Sequence, residues 1–243
     1  MLEKTILYDL EKIIPLNKND LDLTNESQGF GLIIVDEVNG FAKVGGGNLA
    51  PQVPNKQVDV MVSETNNLAH AFIKKGLPIF AFLDTHEPGK PEPPYPPHCE
   101  LGTGEEDLVD ELKWIEKEPL ATLVRKDCIN GFIGAFRNDG SNSLIEWVND
   151  KNVKNVLVVG ICTDICVMDF VLTLLSARNH GMLPSLNEVV VYDKGCSTFD
   201  LPRSVVKEIG LPKSASHPQD LAHYMGLYFM ASRGAQLVKS AKI

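Results

Sequence analysis

Residues 156–170 read Val-Leu-Val-Val-Gly-Ile-Cys-Thr-Asp-Ile-Cys-Val-Met-Asp-Phe. An apolar, β-branched run ends at Gly160, a short connection follows, and an amphipathic pattern then continues to His180 and Gly181. This is the pattern of a buried parallel strand feeding a helix. It places Cys166 in the first helical turn, where unpaired backbone N–H groups and the helix dipole favour an anion. A thiolate is such an anion, so the position predicts a lowered thiol pKa. A free cysteine is more often a small buried apolar residue, and a nucleophile needs a base and a cation beside it. Asp36 ends one apolar run and Lys126 ends another. Asp36 could take the thiol proton while Lys126 holds the resulting charge. Burial raises an aspartate pKa and an adjacent ammonium lowers it, which poises such a pair for proton transfer. As a purely structural ion pair the two would return little stability for their desolvation cost. Attack on a carbonyl also needs oxyanion donors, which the backbone of the turn at 160–166 could supply.

A second constellation begins at Asp84 and His86 and continues across a proline-rich loop to His98. One carboxylate and two imidazoles leave coordination positions open, the pattern of a catalytic rather than a structural zinc site. Glu92, in the same loop, is a further candidate ligand. Cys99 is read as a structural thiol, and His70, His180, His217 and His223 receive no role.

The elements that must position these groups alternate. Strand patterns fall at 30–36, 77–84, 121–126, 155–160 and 188–193. Helical patterns fall at 2–14, 56–75, 105–118, 141–150 and 217–232, the last with Ser216 as cap and Pro218 near its first position. The Gly-rich loop after residue 39 opens no helix, so it reads as a connection and not a phosphate cradle. Continuously apolar strands alternating with helices mean a mostly parallel sheet covered on both faces. Ligands then bind beyond the carboxyl ends of the strands, and Asp36, Asp84, Lys126 and Cys166 all fall at such ends.

Composition narrows the setting. A chain of 243 residues, 44% of them hydrophobic, suits one domain, expected over 1–243 with residues 1–29 as a helical extension packed on it. A net charge of −9 disfavours nucleic acid and anionic membranes as partners and favours a small substrate. Five cysteines without framework spacing predict reduced thiols. No run has the basic start of a signal peptide or the length of a membrane span. The expectation is a soluble, cytoplasmic protein.

Several segments together carry a resemblance: Asp36 with Asn39-Gly40-Phe41, Asp84 with His86, Tyr95-Pro96-Pro97-His98-Cys99 with Gly102-Thr103, Lys126 before Asn130-Gly131-Phe132, and Gly160 to Val167. In order and spacing, from about residue 31 to residue 202, the chain resembles the isochorismatase-like cysteine hydrolases and, among them, the plant-type nicotinamidases. The resemblance implies a three-layer α/β/α fold and hydrolysis of nicotinamide to nicotinate and ammonia in NAD salvage. It implies Cys166 as nucleophile, Asp36 as proton-transferring base and Lys126 as stabilising cation. Asp84, His86 and His98 would hold a divalent metal, often zinc, and Phe41 and Tyr95 would flank the substrate ring. It further implies a cis peptide at Ile161–Cys162, with the N–H groups of Cys162 and Cys166 facing the oxyanion, and a homo-oligomer. Val38 and Cys162 stand where the wider superfamily commonly has glutamine and alanine. The alternative is a small-amide or carbamoyl amidase of the same superfamily, many of which lack the metal triad.

Overall fold

The computed structural model describes residue 12 and residues 16–24, 29–90, 92–208, 210 and 212–243. Among these, seven strands form one sheet: β1 (Lys18–Asp22), β2 (Phe30–Val35), β3 (Ile79–Asp84), β4 (Ala121–Lys126), β5 (Asn155–Ile161), β6 (Glu188–Ser197) and β7 (Gln236–Lys242). Their order is β1-β7-β6-β5-β2-β3-β4, and every neighbouring pair is parallel. The chain runs outward from β2 through β3 to β4, then returns to the other side of β2 as β5. That reversal is the switch point at which an open parallel sheet leaves a crevice beyond its carboxyl ends.

Side-chain alternation along the central strands splits the core into two layers. Ile33 and Val35 of β2 and Val156 and Val158 of β5 face one cluster, whereas Leu32, Ile34, Leu157 and Val159 face the other. Helix α1 (Lys56–Lys74) covers the second face with Met61 and Phe72. Helices α2 (Ser143–Asp150), α3 (Cys166–Asn179) and α4 (Gln219–Ser232) cover the first with Trp147, Phe170 and Leu227. The result is the expected three-layer α/β/α arrangement. Asn55 and Asn142 start α1 and α2 by accepting from the first helical N–H groups, as asparagine caps do.

Three expectations differ from what the chain forms, and a fourth falls outside the described residues. The region read as a helical extension and polar connection contributes β1, a polar edge strand paired with β7, and β7 itself carried no strand reading. The helix expected over 2–14 lies outside the described residues, Lys12 excepted. Residues 105–118 are not helical apart from a 3-10 turn at Lys113–Lys117. Glu105 Oε2 instead accepts from Cys99 N at 2.9 Å, and Glu106 accepts from Gly102 N at 2.6 Å and Gly104 N at 2.8 Å. Such side-chain bonds to nearby backbone compete with helix formation. Finally, α4 begins after Pro218 and not at a Ser216 cap; Asp200 Oδ1 receives its first N–H, from Gln219, at 3.3 Å. Among the described residues no helix is long and apolar enough to cross a membrane.

One glycine fixes how closely β5 approaches β2 at the carboxyl edge. Gly160 has φ +133°, and a Cβ there would sit 2.1 Å from Val35 O. Gly160→Ala should therefore force backbone apart and strain φ, costing about 2 kcal/mol or more. Differential scanning calorimetry should record a clearly lower Tm; an unchanged Tm would contradict the close approach.

Candidate active site

Three strands deliver charge to one point. Lys126 is the last residue of β4 and pairs in register with Asp84, the last residue of β3. Its side chain is fully buried, with Nζ 2.8 Å from Asp84 Oδ1 and 2.8 Å from Asp36 Oδ2, and it also donates to Cys128 O at 2.9 Å. Two of the ammonium protons thus find hydrogen-bond acceptors, and Asp36 adds an ion-pair contact. Asp36 follows β2 with φ +56°, and its N–H donates to Phe82 O at 3.1 Å. This left-handed turn swings the carboxylate off the line of the strand. Lys126 approaches Asp36 as an ion pair outside hydrogen-bond alignment, and the Cys166 thiol interacts with the same carboxylate.

The electrostatics separate the two carboxylates. Burial pushes Asp36 up, the Lys126 charge offsets only part of this, and its pKa is raised to about 6. Burial also acts on Asp84, but Lys126, His86 and His98 outweigh it and hold the carboxyl well below the usual range. Lys126 stays charged because its anionic neighbours overcome its own desolvation. Cys166 is the first residue of α3, as expected, yet burial pushes its thiol well above the ordinary value, with Lys126 opposing and Asp36, Cys162 and Asp84 reinforcing. The lowered thiol pKa expected from the helix terminus is thus not found. Desolvation and nearby carboxylates dominate, and the resting thiol is neutral beside an acceptor able to take its proton.

The second constellation converges on Asp84 from its other oxygen. His86 Nε2 lies 3.1 Å and His98 Nε2 3.3 Å from Asp84 Oδ2, and all three residues are buried. Ligand atoms of Asp84, His86 and His98 lie within 4.8 Å of one another. His98 Nδ1 donates to Pro96 O at 2.8 Å, which turns Nε2 inward, the kind of outer contact that fixes a ligating histidine. Glu92 Oε2 stands 3.7 Å from His86 Nε2 and 3.6 Å from His98 Nε2, while its Oε1 accepts from Ile129 N at 3.0 Å. Two imidazoles and a permanently ionised carboxylate form a donor set that suits zinc or a similar divalent ion.

Between the two constellations lies a narrow cleft lined by Phe41, Tyr95, Ile165, Phe199, Cys162 and Cys166, with Asp84, Glu92 and His98 at its polar end. Phe41 and Tyr95 pack their rings near His98, at centroid distances of 5.6 and 6.0 Å. The Ile161–Cys162 peptide is cis, as expected. Among the described residues, neither Cys162 N–H nor Cys166 N–H donates to a backbone carbonyl. Of the ten residues marked in the sequence as candidates for catalysis, oxyanion binding, ring contact or metal ligation, Phe41, Asp84, Glu92, Tyr95, His98, Cys162 and Cys166 line the cleft, and Lys126 and His86 contact Asp84 behind it, with Asp36 against Lys126.

The sequence reading missed the residues that brace the turn between β5 and α3. Thr163 Oγ1 bonds His223 Nδ1 at 2.7 Å, His223 Nε2 lies 2.8 Å from Asp193 Oδ1, and Lys18 Nζ donates to Asp193 Oδ2 at 2.7 Å. Asp164 Oδ2 meets His217 Nε2 at 2.8 Å, and a Cβ on Gly226 would come within 2.8 Å of Asp164 Cα. No local motif announces these contacts, because each joins the turn to a distant element. Glu37 was also passed over. It is fully buried and accepts from Thr65 Oγ1 at 2.6 Å, and desolvation pushes its carboxyl well above the ordinary value.

Comparison with known proteins agrees with this geometry. A family model described as the isochorismatase domain matches residues 31–210. The chain is 52% identical to Nicotinamidase 1 of Arabidopsis thaliana over 235 residues, 97% of this chain and 96% of that protein. A solved nicotinamidase from Bacillus subtilis shares the fold at a TM-score of 0.65 and 21% identity, covering 87% of this chain and 100% of that one. The pyrazinamidase of Pyrococcus horikoshii in complex with zinc does so at a TM-score of 0.60 and 23% identity, covering 87% and 99%. With most of its length matched by the family model, and with a full-length relative at this identity, the chain belongs to the isochorismatase-domain family.

Proposed function

We propose that this protein is a nicotinamidase, hydrolysing nicotinamide to nicotinate and ammonia in NAD salvage through a thioester on Cys166. The observation that carries the reading is the meeting of Cys166, Asp36 and Lys126 with Asp84, His86 and His98 beside one cleft, Lys126 bridging Asp36 and Asp84. The high identity to the Arabidopsis protein named for that activity supports it.

In this reading Asp36 accepts the Cys166 thiol proton as sulfur adds to the amide carbonyl carbon. The Cys162 and Cys166 N–H groups hold the oxyanion, and Lys126 keeps the proton-transfer site near neutrality. Asp36 then gives the proton to the departing nitrogen, which leaves as ammonia and forms the thioester. Water, deprotonated by Asp36, cleaves the thioester to the carboxylate and restores the thiol. Asp84, His86 and His98 would hold a divalent ion, zinc by the chemistry of the donors, with Glu92 near enough to join them. Such an ion supplies a Lewis-acidic anchor for a ring nitrogen or water. Phe41 and Tyr95 would flank the ring. Five unpaired cysteines suit the reducing environment of a cytoplasmic enzyme.

Three outcomes test the reading. Purified protein should release ammonia from nicotinamide, and Cys166→Ala should lower turnover by about a thousandfold or more while leaving bound metal, read by atomic absorption, at the wild-type stoichiometry. Retained turnover would sink the thioester. Chelation should depress activity and added zinc or manganese restore it; indifference to chelators would favour a metal-free carbamoyl amidase. Asp36 is a working base only when ionised, so kcat/KM should be flat above about pH 6 and fall roughly tenfold per unit below it. A profile level down to pH 4.5 would remove Asp36 from that role.

A further inference from the structure

The turn from Cys162 to Cys166 carries both candidate oxyanion donors, yet its middle residues bond away from the cleft. Asp164 Oδ1 accepts from Thr198 Oγ1 at 2.7 Å, and Oδ2 lies 2.8 Å from His217 Nε2. The other nitrogen of that imidazole, Nδ1, lies 2.8 Å from Phe199 O. Both ring nitrogens thus face acceptors, a pairing that only the imidazolium satisfies with two donors. Burial disfavours the charge, but Asp164 outweighs it and raises the His217 pKa, while His217 lowers that of Asp164. The same imidazole lies flat on the Phe199 ring, with centroids 3.8 Å apart and planes 14° from parallel. Phe199 is a wall of the cleft, alongside Phe41, Tyr95 and Ile165.

One side chain is therefore tied to the oxyanion turn by an ion pair and to the cleft wall by a stack. We propose that His217 is a positioning residue with two separable outputs. Through Asp164 it aims the turn that presents the Cys162 and Cys166 N–H groups; through Phe199 it holds the face on which a planar aromatic ring lies, making Phe199 a determinant of selectivity for aromatic amides. This rests on the proposed reading of Cys166 as an amide-cleaving nucleophile.

Two substitutions pull the outputs apart. His217→Phe keeps a ring to stack on Phe199 but cannot bond Asp164; His217→Gln keeps a donor for Asp164 but loses the stack. Steady-state assays on nicotinamide, pyrazinamide and benzamide should show His217→Phe lowering kcat about tenfold with KM within about threefold. They should show His217→Gln raising KM about fivefold with kcat within about threefold. Phe199→Leu should raise KM alone, and adding it to His217→Gln should produce no further increase, the signature of a shared contact. Should either His217 variant fail to fold by circular dichroism, Asp164→Asn and Phe199→Leu read the same two outputs separately. A proportional change of kcat and KM in both His217 variants, or additive effects in the double variant, would overturn the proposal. Wild-type inactivity on nicotinamide alone would defeat the proposed substrate but leave the split readable on whichever aromatic amide is cleaved. Inactivity on all three would defeat both.

Discussion

A single buried ammonium, that of Lys126, is shared by two carboxylates arriving from different strands. Burial disfavours the charge of both aspartates and the ammonium opposes that in each, and removing one partner of such a cluster leaves an uncompensated charge costing roughly 3–5 kcal/mol. The sharing is unequal in effect. Asp84 also has two imidazoles on its second oxygen and is held firmly anionic, whereas Asp36 has only Lys126 and a thiol and rises to about 6. In the proposed reading, two identical side chains on one cation thereby take different tasks, one as a fixed negative ligand and the other as a carrier of protons at working pH. Where environments push two titratable groups apart in this way, their roles can be read from the separation.

The sheet makes this sharing possible. Register between β3 and β4 sets Asp84 directly beside Lys126, and the reversal of strand order around β2 brings Asp36 and the end of β5 to the same edge. The close approach of Gly160 to Val35 brings the end of β5 against the end of β2, next to Asp36. The covering helices supply the apolar burial, but the charges meet because parallel strands end together.

That much was legible from the chain itself. Asp36, Asp84 and Lys126 each close a run that reads as a strand, and Cys166 opens the helix that follows another, so their position at the carboxyl edge follows from periodicity alone. The clustering of Asp84, His86 and His98 was legible because aspartate and histidine two apart, with a second histidine beyond a stiff loop, is a spacing with chemical meaning. The edge strands were not legible. Lys-Asn-Asp-Leu-Asp in β1 is polar because it lies at a solvent edge, and its strand character comes from pairing with β7 at the far end of the chain. Glu105 and Glu106 looked helical because glutamate favours helices, but they spend their carboxylates on neighbouring loop N–H groups. The direction of the Cys166 shift was missed for a related reason. A helix terminus is a local feature, while burial among carboxylates depends on the whole fold.

The braces on the turn also set a sequence of events in the life of the chain. Thr163 finds His223, 60 residues later, and Asp164 finds His217, 53 residues later, with Gly226 packed against the backbone between them. On the ribosome, Cys166 and the strand before it emerge well before the helix that completes their setting. The turn therefore depends on residues that follow it in the chain, and a chain truncated before α4 carries Cys166 without the contacts that brace it. Catalytic competence in this fold thus doubles as a report that the C-terminal helix has reached its place.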